Sequence, residues 1–142
     1  MIIELGKCIS DIKFGMTESQ IMDIWGVPDK SYIDEYESKY LQYFDKRLVL
    51  KLDLDIDYRL GWIEVYNNEA ILLNKKLFDM SKQSILKFLI DQFSEEPEFE
   101  DYGAFESYTF QESWLELQFE LGKLRNINFG NLFDKNDEPV FY

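Results

Sequence analysis

Between Arg47 and Tyr66 the chain reads Arg-Leu-Val-Leu-Lys-Leu-Asp-Leu-Asp-Ile-Asp-Tyr-Arg-Leu-Gly-Trp-Ile-Glu-Val-Tyr. Leu50, Leu52, Leu54 and Ile56 alternate with Lys51, Asp53, Asp55 and Asp57. Successive side chains on a strand point to opposite faces, so one face of this run is aliphatic and the other is a row of charges. After the turn at Asp57-Tyr58-Arg59-Leu60-Gly61, Ile63 and Val65 share one face while Trp62, Glu64 and Tyr66 share the other. The pattern predicts a hairpin with one side on a core and the other open to water.

The rest of the chain has material to build that core. It has 142 residues, 46% hydrophobic and 17% aromatic, which suits one folded domain and excludes a disordered chain. Fifteen Lys and Arg against 28 Asp and Glu leave a net charge of −13. Such a charge repels nucleic acid and anionic membranes and favours encounter with basic partners. The bases are scattered among acids and form no basic patch, so no direct nucleic-acid binding is expected. Cys8 is the one cysteine, so an internal disulfide is impossible. There is no histidine, which rules out a Cys/His zinc site and any triad with an imidazole base. The opening Met-Ile-Ile-Glu-Leu-Gly-Lys-Cys lacks the pattern of a signal peptide, and apolar runs such as Ile71-Leu72-Leu73 fall far short of a membrane span. These features predict a cytoplasmic protein with no membrane partner.

The pattern around the hairpin occurs twice. Thr17-Glu18-Ser19-Gln20 forms a capping box, and Ile21, Ile24 and Trp25 mark one face of a short helix that ends at Gly26-Val27-Pro28. A polar, tyrosine-rich stretch over 29–39 reads as a loop with one irregular strand, and Tyr40 to Asp45 reads as a strand. Residues 73–80 lie 64 positions after residues 9–16 and end on the same Met. Ser81 stands for Thr17, and Ile85, Phe88 and Leu89 stand for Ile21, Ile24 and Trp25. Glu95-Glu96-Pro97 stops the second helix, and Phe105 to Gln111 is an aromatic strand. Then Leu115, Leu117, Phe119 and Leu121 alternate with Trp114, Glu116, Gln118 and Glu120. Leu121-Gly122 repeats Leu60-Gly61 before a last strand over 124–129. The expectation is an α+β single domain, 1–142, of two repeats at about 9–68 and 73–130. Each repeat would hold a helix and three strands, with antiparallel sheets, both helices on one face and the other face open. The tail, 131–142, is polar but ends in Val140-Phe141-Tyr142, apolar enough to dock.

Ile12-Lys13-Phe14-Gly15-Met16-Thr17, with Ile21, Ile24 and Gly26-Val27-Pro28-Asp29, resembles the start of a small outer-membrane lipoprotein (SmpA/BamE-like) domain. The order of elements over about 9–129 resembles the tandem αβββ repeat of the β-lactamase-inhibitor-protein-like proteins. The second half keeps Phe78, Met80 and Ser81 but has Asp79 for Gly15 and lacks the Gly-x-Pro. The resemblance implies an open sheet face that grips another protein, as in several bacterial toxin-immunity proteins.

Several residue clusters invite a chemical reading. Asp53, Asp55, Asp57 and Glu64 match positions 1, 3, 5 and 12 of a calcium loop. Position 6, where that loop wants glycine, is Tyr58, which resists positive φ, and the flanks alternate with period two instead of being helical. Carboxylates on the wet face of a strand are therefore the preferred reading, and no metal or other cofactor is expected. Acid pairs that could serve as general acid and base abound among 28 carboxylates, and nothing marks one pair as catalytic. Cys8 has no base or second Cys beside it and reads as a buried or idle thiol.

Trp62, Tyr66 and Trp114, set among acids on a water-facing side, read as anchors for a partner. The expected binding face comprises Asp53, Asp55, Asp57, Trp62, Glu64, Tyr66, Trp114, Glu116, Gln118 and Glu120. The expectation is thus a protein that is not an enzyme: an inhibitor of immunity type that neutralises a cognate, basic toxin, with a nuclease the natural candidate. The alternatives are a structural or assembly module and, behind it, a calcium-binding protein.

Overall fold

The computed structural model describes residues 1–142. In chain order its elements are β1 (Ile2–Glu4), β2 (Cys8–Ile9), β3 (Ile12–Lys13), α1 (Glu18–Trp25), β4 (Lys30–Ile33), β5 (Lys39–Tyr43), β6 (Leu48–Asp53) and β7 (Arg59–Val65). They continue with β8 (Ile71–Leu72), α2 (Lys82–Phe93), β9 (Glu98–Asp101), β10 (Glu106–Phe110), β11 (Leu115–Glu120), β12 (Lys123–Gly130), β13 (Leu132–Phe133) and β14 (Pro139–Val140). Eight strands form one sheet in the order β4-β5-β6-β7-β12-β11-β10-β9, and every neighbouring pair in it is antiparallel. A smaller sheet, β3-β2-β1-β8, and the β13–β14 hairpin complete the molecule.

This architecture corrects the expected pair of helix-plus-three-strand repeats. Strand accounts for 42% of the residues against 18% in helical turns, and the main sheet is continuous through the β7–β12 pair. Each half contributes four strands to it, not three: β4 to β7 on one side of the junction and β9 to β12 on the other. Ile2 and Ile3 suggest a short strand, which is β1, but the residue pattern misses β2, β8, β9 and the β13–β14 hairpin, and β4 is only an irregular strand in it. The physical cause is that β4 and β9 are the two edges. All of their residues are exposed, so no apolar alternation marks them.

The hairpin at the centre of the chain also ends sooner than its pattern. β6 stops at Asp53, after a register shift between Lys51 and Leu52. Leu54–Ile56 forms a single 3-10 turn, and Asp57 and Tyr58 follow with φ of 59° and 57°. The Tyr58 amide donates to the Asp53 carbonyl at 2.8 Å and closes the turn. Side-chain alternation continues through Ile56, but the backbone has already turned, and Leu54 is exposed.

One face of the sheet is the core. Leu50, Leu52, Ile63 and Val65 from the first half lie with Leu117, Ile127 and Phe129 from the second in one buried cluster. The small sheet adds Ile3, Ile9 and Ile12 to it, and Phe14 sets its ring edge-on to Phe129, with centroids 5.5 Å apart. The helices cover the same cluster through Ile21 of α1 and Ile85 and Leu89 of α2.

Each helix begins as its sequence dictates. Thr17 Oγ1 accepts from the Gln20 amide at 3.3 Å, and Gln20 Oε1 accepts from the Thr17 amide at 2.9 Å. Ser81 Oγ accepts from the Ser84 amide at 3.2 Å. The first residue of each helix is ion-paired to the second strand after it, with opposite polarity: Glu18 to Lys39 at 2.6 Å, and Lys82 to Glu106. The hydrogen bond that Lys82 donates to Glu106 holds its ammonium above the ordinary pKa. The expected apolar face of α1 is narrower than its spacing suggests. Ile21 is buried, but Ile24 is 42% exposed, and Trp25 is half-buried, packed edge-on to Tyr43. The tail docks through Phe141, whose ring lies where a Cβ on Gly15 would be, 2.7 Å away.

These placements separate two residues that the helical period treats alike. Ile21→Ala should lower unfolding free energy by about 2–5 kcal/mol, as for a fully buried aliphatic. Ile24→Ala should cost less than about 1 kcal/mol. Urea denaturation of both variants checks the ranking, and equal losses would contradict the packing of α1.

Candidate functional site

Residues directly opposite each other in an antiparallel pair point to the same side. The register therefore defines what stands on the face away from the helices. One row crosses the whole sheet as Lys30, Gln42, Val49, Glu64, Asn128, Glu116, Thr109 and Glu98. The next row runs Tyr32, Tyr40, Lys51, Trp62 and Gly130. Tyr32 and Tyr40 stack with centroids 4.9 Å apart.

Gly130 organises the middle of this face. Trp62 and Trp114 meet edge to face above it, with centroids 5.7 Å apart and planes at 66°. A Cβ on Gly130 would lie 2.5 Å from Trp114 and 2.8 Å from Trp62, so only glycine lets both indoles lie on the sheet. Trp114 does not stand on a strand, as its alternation implies. It precedes β11 with φ of 52°, and its carbonyl accepts the Gly130 amide at 3.2 Å.

Beside the indoles lies a network of polar side chains. Glu116 accepts from Asn128 Nδ2 at 2.9 Å, from Gln118 Nε2 at 3.2 Å and from the Ser107 hydroxyl. Asn126 Nδ2 donates to Asn128 Oδ1 at 2.8 Å. Arg125 donates to Asn126 Oδ1 at 3.1 Å and to Gln118 Oε1 at 3.3 Å, and its guanidinium lies 4.6 Å from the centre of the Phe105 ring. Asn126, Asn128 and Ser107 are buried. A satisfied network of this kind fixes the Glu116 carboxylate in position. Glu64 is half-buried on the neighbouring strand. Burial, and then the negative charge of Glu116, hold its carboxyl above the ordinary carboxylate pKa, against the pull of Lys51.

The tryptophan pair separates two clefts. One, of about 330 Å³, opens toward β9 and is lined by Trp62, Trp114, Tyr102, Glu98, Glu100 and Glu116. The other, of about 520 Å³, opens toward the tail and holds Lys51, Asp53, Asp55, Ile56, Asp137 and Glu138. A larger groove, of about 690 Å³, lies along β1 and β8 among Ile2, Leu5, Ile71, Leu73, Phe93 and Leu132. Its lining is mostly aliphatic, with Glu4, Lys7, Asn74, Glu112 and Ser113 among it. Size alone would select that groove, but the chemistry is at the two smaller clefts.

The expected face residues divide accordingly. Trp62, Glu64, Tyr66, Glu116 and Gln118 stand on the open face, and Trp114 joins them from its turn. Asp53 ends β6, with its carboxylate 3.6 Å from the Lys51 ammonium. Asp55 reaches the tail cleft from the 3-10 turn. Asp57 is off the face: it lines a shallow depression with Thr17, Ser19 and Asp23 beside α1. Glu120 is exposed, opposite Lys123 beyond the bulge between Gln118 and Phe119, and lines neither cleft.

Sequence reasoning missed Gly130, the Asn126/Asn128 pair, Ser107 and Arg125, as well as Glu98, Glu100, Asp137 and Glu138. Two signals were present. Asn126-Ile127-Asn128 and Glu98-Phe99-Glu100 both alternate with period two.

Two other sequence readings meet the structure here. Tyr58 does adopt positive φ, so that objection to a calcium loop falls. The aspartates nonetheless diverge, and no group of three or more Asp, Glu or Cys side chains is placed to hold a metal ion. Cys8 is buried, and its thiol donates to Glu4 Oε2 at 3.1 Å. Burial, then that carboxylate, push its pKa up to about 11, so it is a neutral thiol at pH 7.

The raised Glu64 carboxyl has a defined consequence for stability. The folded state holds the Glu64 proton more tightly than the unfolded chain, so ionisation above the ordinary pKa of 4.5 disfavours folding. The cost is absent below that pKa and fully present once pH exceeds the raised one. Glu64→Gln should therefore be more stable than the natural chain at pH 7, with the gap closing as pH falls from the raised pKa toward 4.5. Denaturant midpoints across pH 4–8 test this, and a gap that widens on acidification would contradict it.

Among solved structures, a DUF4309 family protein from Bacillus subtilis subsp. subtilis str. 168 is similar with a TM-score of 0.55 at 10% identity, covering 89% of this chain and 88% of that one. An extracellular protein containing a SCP domain from Bacillus anthracis str. Ames is similar with a TM-score of 0.53 at 8% identity, covering 91% of this chain. The chain spans half the length of that protein. No family model matches the sequence, and no curated protein matches it. At these identities the likeness shows the fold alone.

Proposed function

We propose that this chain is a non-catalytic binding protein that holds a basic protein partner against the open face of its eight-stranded sheet. The observation that carries the reading is the Trp62–Trp114 pair, laid over Gly130 between two acid-lined clefts. Tryptophan dominates interface hot spots because it buries much apolar area with few rotors to freeze. Carboxylates around it steer a cationic partner into register. The net charge of −13 adds a long-range attraction of the same sign preference.

A toxin is the partner that best fits, and the protein would then serve as its immunity protein. A nuclease must hold a polyanion and so carries a positive cleft. The carboxylates along β9, β11 and the tail would occupy that cleft as phosphates do.

The test uses the partner recovered from the source cell with the tagged natural chain, followed by kinetics on the purified pair. Trp62→Ala and Trp114→Ala should each weaken binding by about 30-fold or more, chiefly through faster dissociation. Glu98→Lys with Glu100→Lys should slow association and flatten its salt dependence. Asp57→Lys, off the face, should change neither rate beyond the effect of net charge. A partner that is acidic, or one held equally well after both tryptophans are replaced, would sink the proposal.

A further inference from the structure

We propose that the cleft between the tryptophan pair and β9 is an anchor pocket for a guanidinium group, carried on an arginine side chain of the basic partner. The assignment rests on the reading of this face as a binding surface and names what one part of it recognises.

Three observations lead there. The first is size. At about 330 Å³ the cleft lies at the bottom of the range for small-molecule sites, roughly 300–1,000 Å³, and it suits one long side chain. The second is the walls. Trp62, Trp114 and Tyr102 supply ring surfaces, and aromatic faces attract cations, indole most strongly. The third is charge. The lining carries Glu98, Glu100 and Glu116 and no lysine or arginine.

That imbalance distinguishes this cleft from its neighbour. In the tail cleft Lys51 already faces Asp53. Arg125, on the adjoining strand, is committed to Asn126, Gln118 and the Phe105 ring. The carboxylates of the β9 cleft thus have no counter-cation of their own, and they are held in place. Three donors hold Glu116, and Gln111 Nε2 donates to Glu98 at 2.9 Å. The repulsion between Glu116 and Glu64 is of the kind that an arriving cation relieves. A guanidinium suits the walls better than an ammonium. It is planar, stacks on rings, and presents two parallel N–H donors to a carboxylate.

The experiment follows the three indole N–H signals of the full chain by NMR. Trp25 is a built-in control, because its Nε1–H donates to Asp11 at 3.1 Å, away from the cleft. N-acetyl-arginine amide should move the Trp62 and Trp114 signals with a Kd on the order of 1–10 mM and leave Trp25 in place. N-acetyl-lysine amide should bind more weakly, and the neutral isostere N-acetyl-citrulline amide should move nothing. Glu116→Gln should weaken the arginine response by about 10-fold, with all three indole signals still dispersed as in the natural chain. Equal responses to arginine and citrulline, movement of Trp25 in step with the others, or no shift at about 100 mM arginine amide would overturn the pocket. Heptalysine separates this failure from that of the wider reading. If heptalysine perturbs the sheet face while arginine amide does not, the pocket alone falls, and if neither probe acts, both proposals fall.

Discussion

Ile63 and Val65 of β7 lie opposite Phe129 and Ile127 of β12, and this pairing is what makes one sheet out of two halves. Neither half could bury its own apolar side: a helix of eight or twelve residues is too short to cover four strands. Joined, the two apolar sides become one cluster, which both helices and the small sheet cover together. The same registration sets Asn128 opposite Glu64 and Gly130 opposite Trp62 on the far side. The core and the candidate site are therefore two faces of one strand pairing.

What stands on the far side follows from the space that pairing leaves. Gly130 provides a floor on which two indoles rest, and Gly61 provides room for the Asp53 carboxylate. Asn126 and Asn128 are short enough to be covered by longer neighbours and carry the hydrogen bonds that hold Glu116. Burying those amides costs little because each has its partner. The half-buried Glu64 beside Glu116 is different. It is kept at a cost to stability at neutral pH, as is common where a surface is shaped for recognition instead of for folding.

Much of the core was legible in the residue pattern. Alternation named Leu50, Leu52, Ile63, Val65, Leu115, Leu117 and Phe119 as one apolar side, and all are buried, but Leu121, named with them, lies past the end of β11 at φ of 51° and is 98% exposed. Capping chemistry located the starts of both helices at Thr17 and Ser81. The count of strands was not legible, because Lys30–Ile33 and Glu98–Asp101 are edges with no buried side. Nor was the end of β6. The leucine-aspartate alternation runs on to Ile56, while two left-handed residues at Asp57 and Tyr58 turn the chain away. Alternation reports which side a residue would take on a strand, not whether the strand is still there.

The candidate site divides in the same way. The residue pattern by itself determined that Trp62, Glu64, Tyr66, Glu116 and Gln118 turn away from the core, since strand periodicity is a local property of the backbone. It also determined the excess of acid, which is a matter of counting. Only the tertiary structure decided that Trp62 and Trp114, 52 positions apart, share one glycine as a floor, and that Asp57 is on the wrong side to join them. Those facts depend on which strands pair and where turns bend. Such choices are made by contacts between residues far apart in the chain, and short-range pattern carries no record of them.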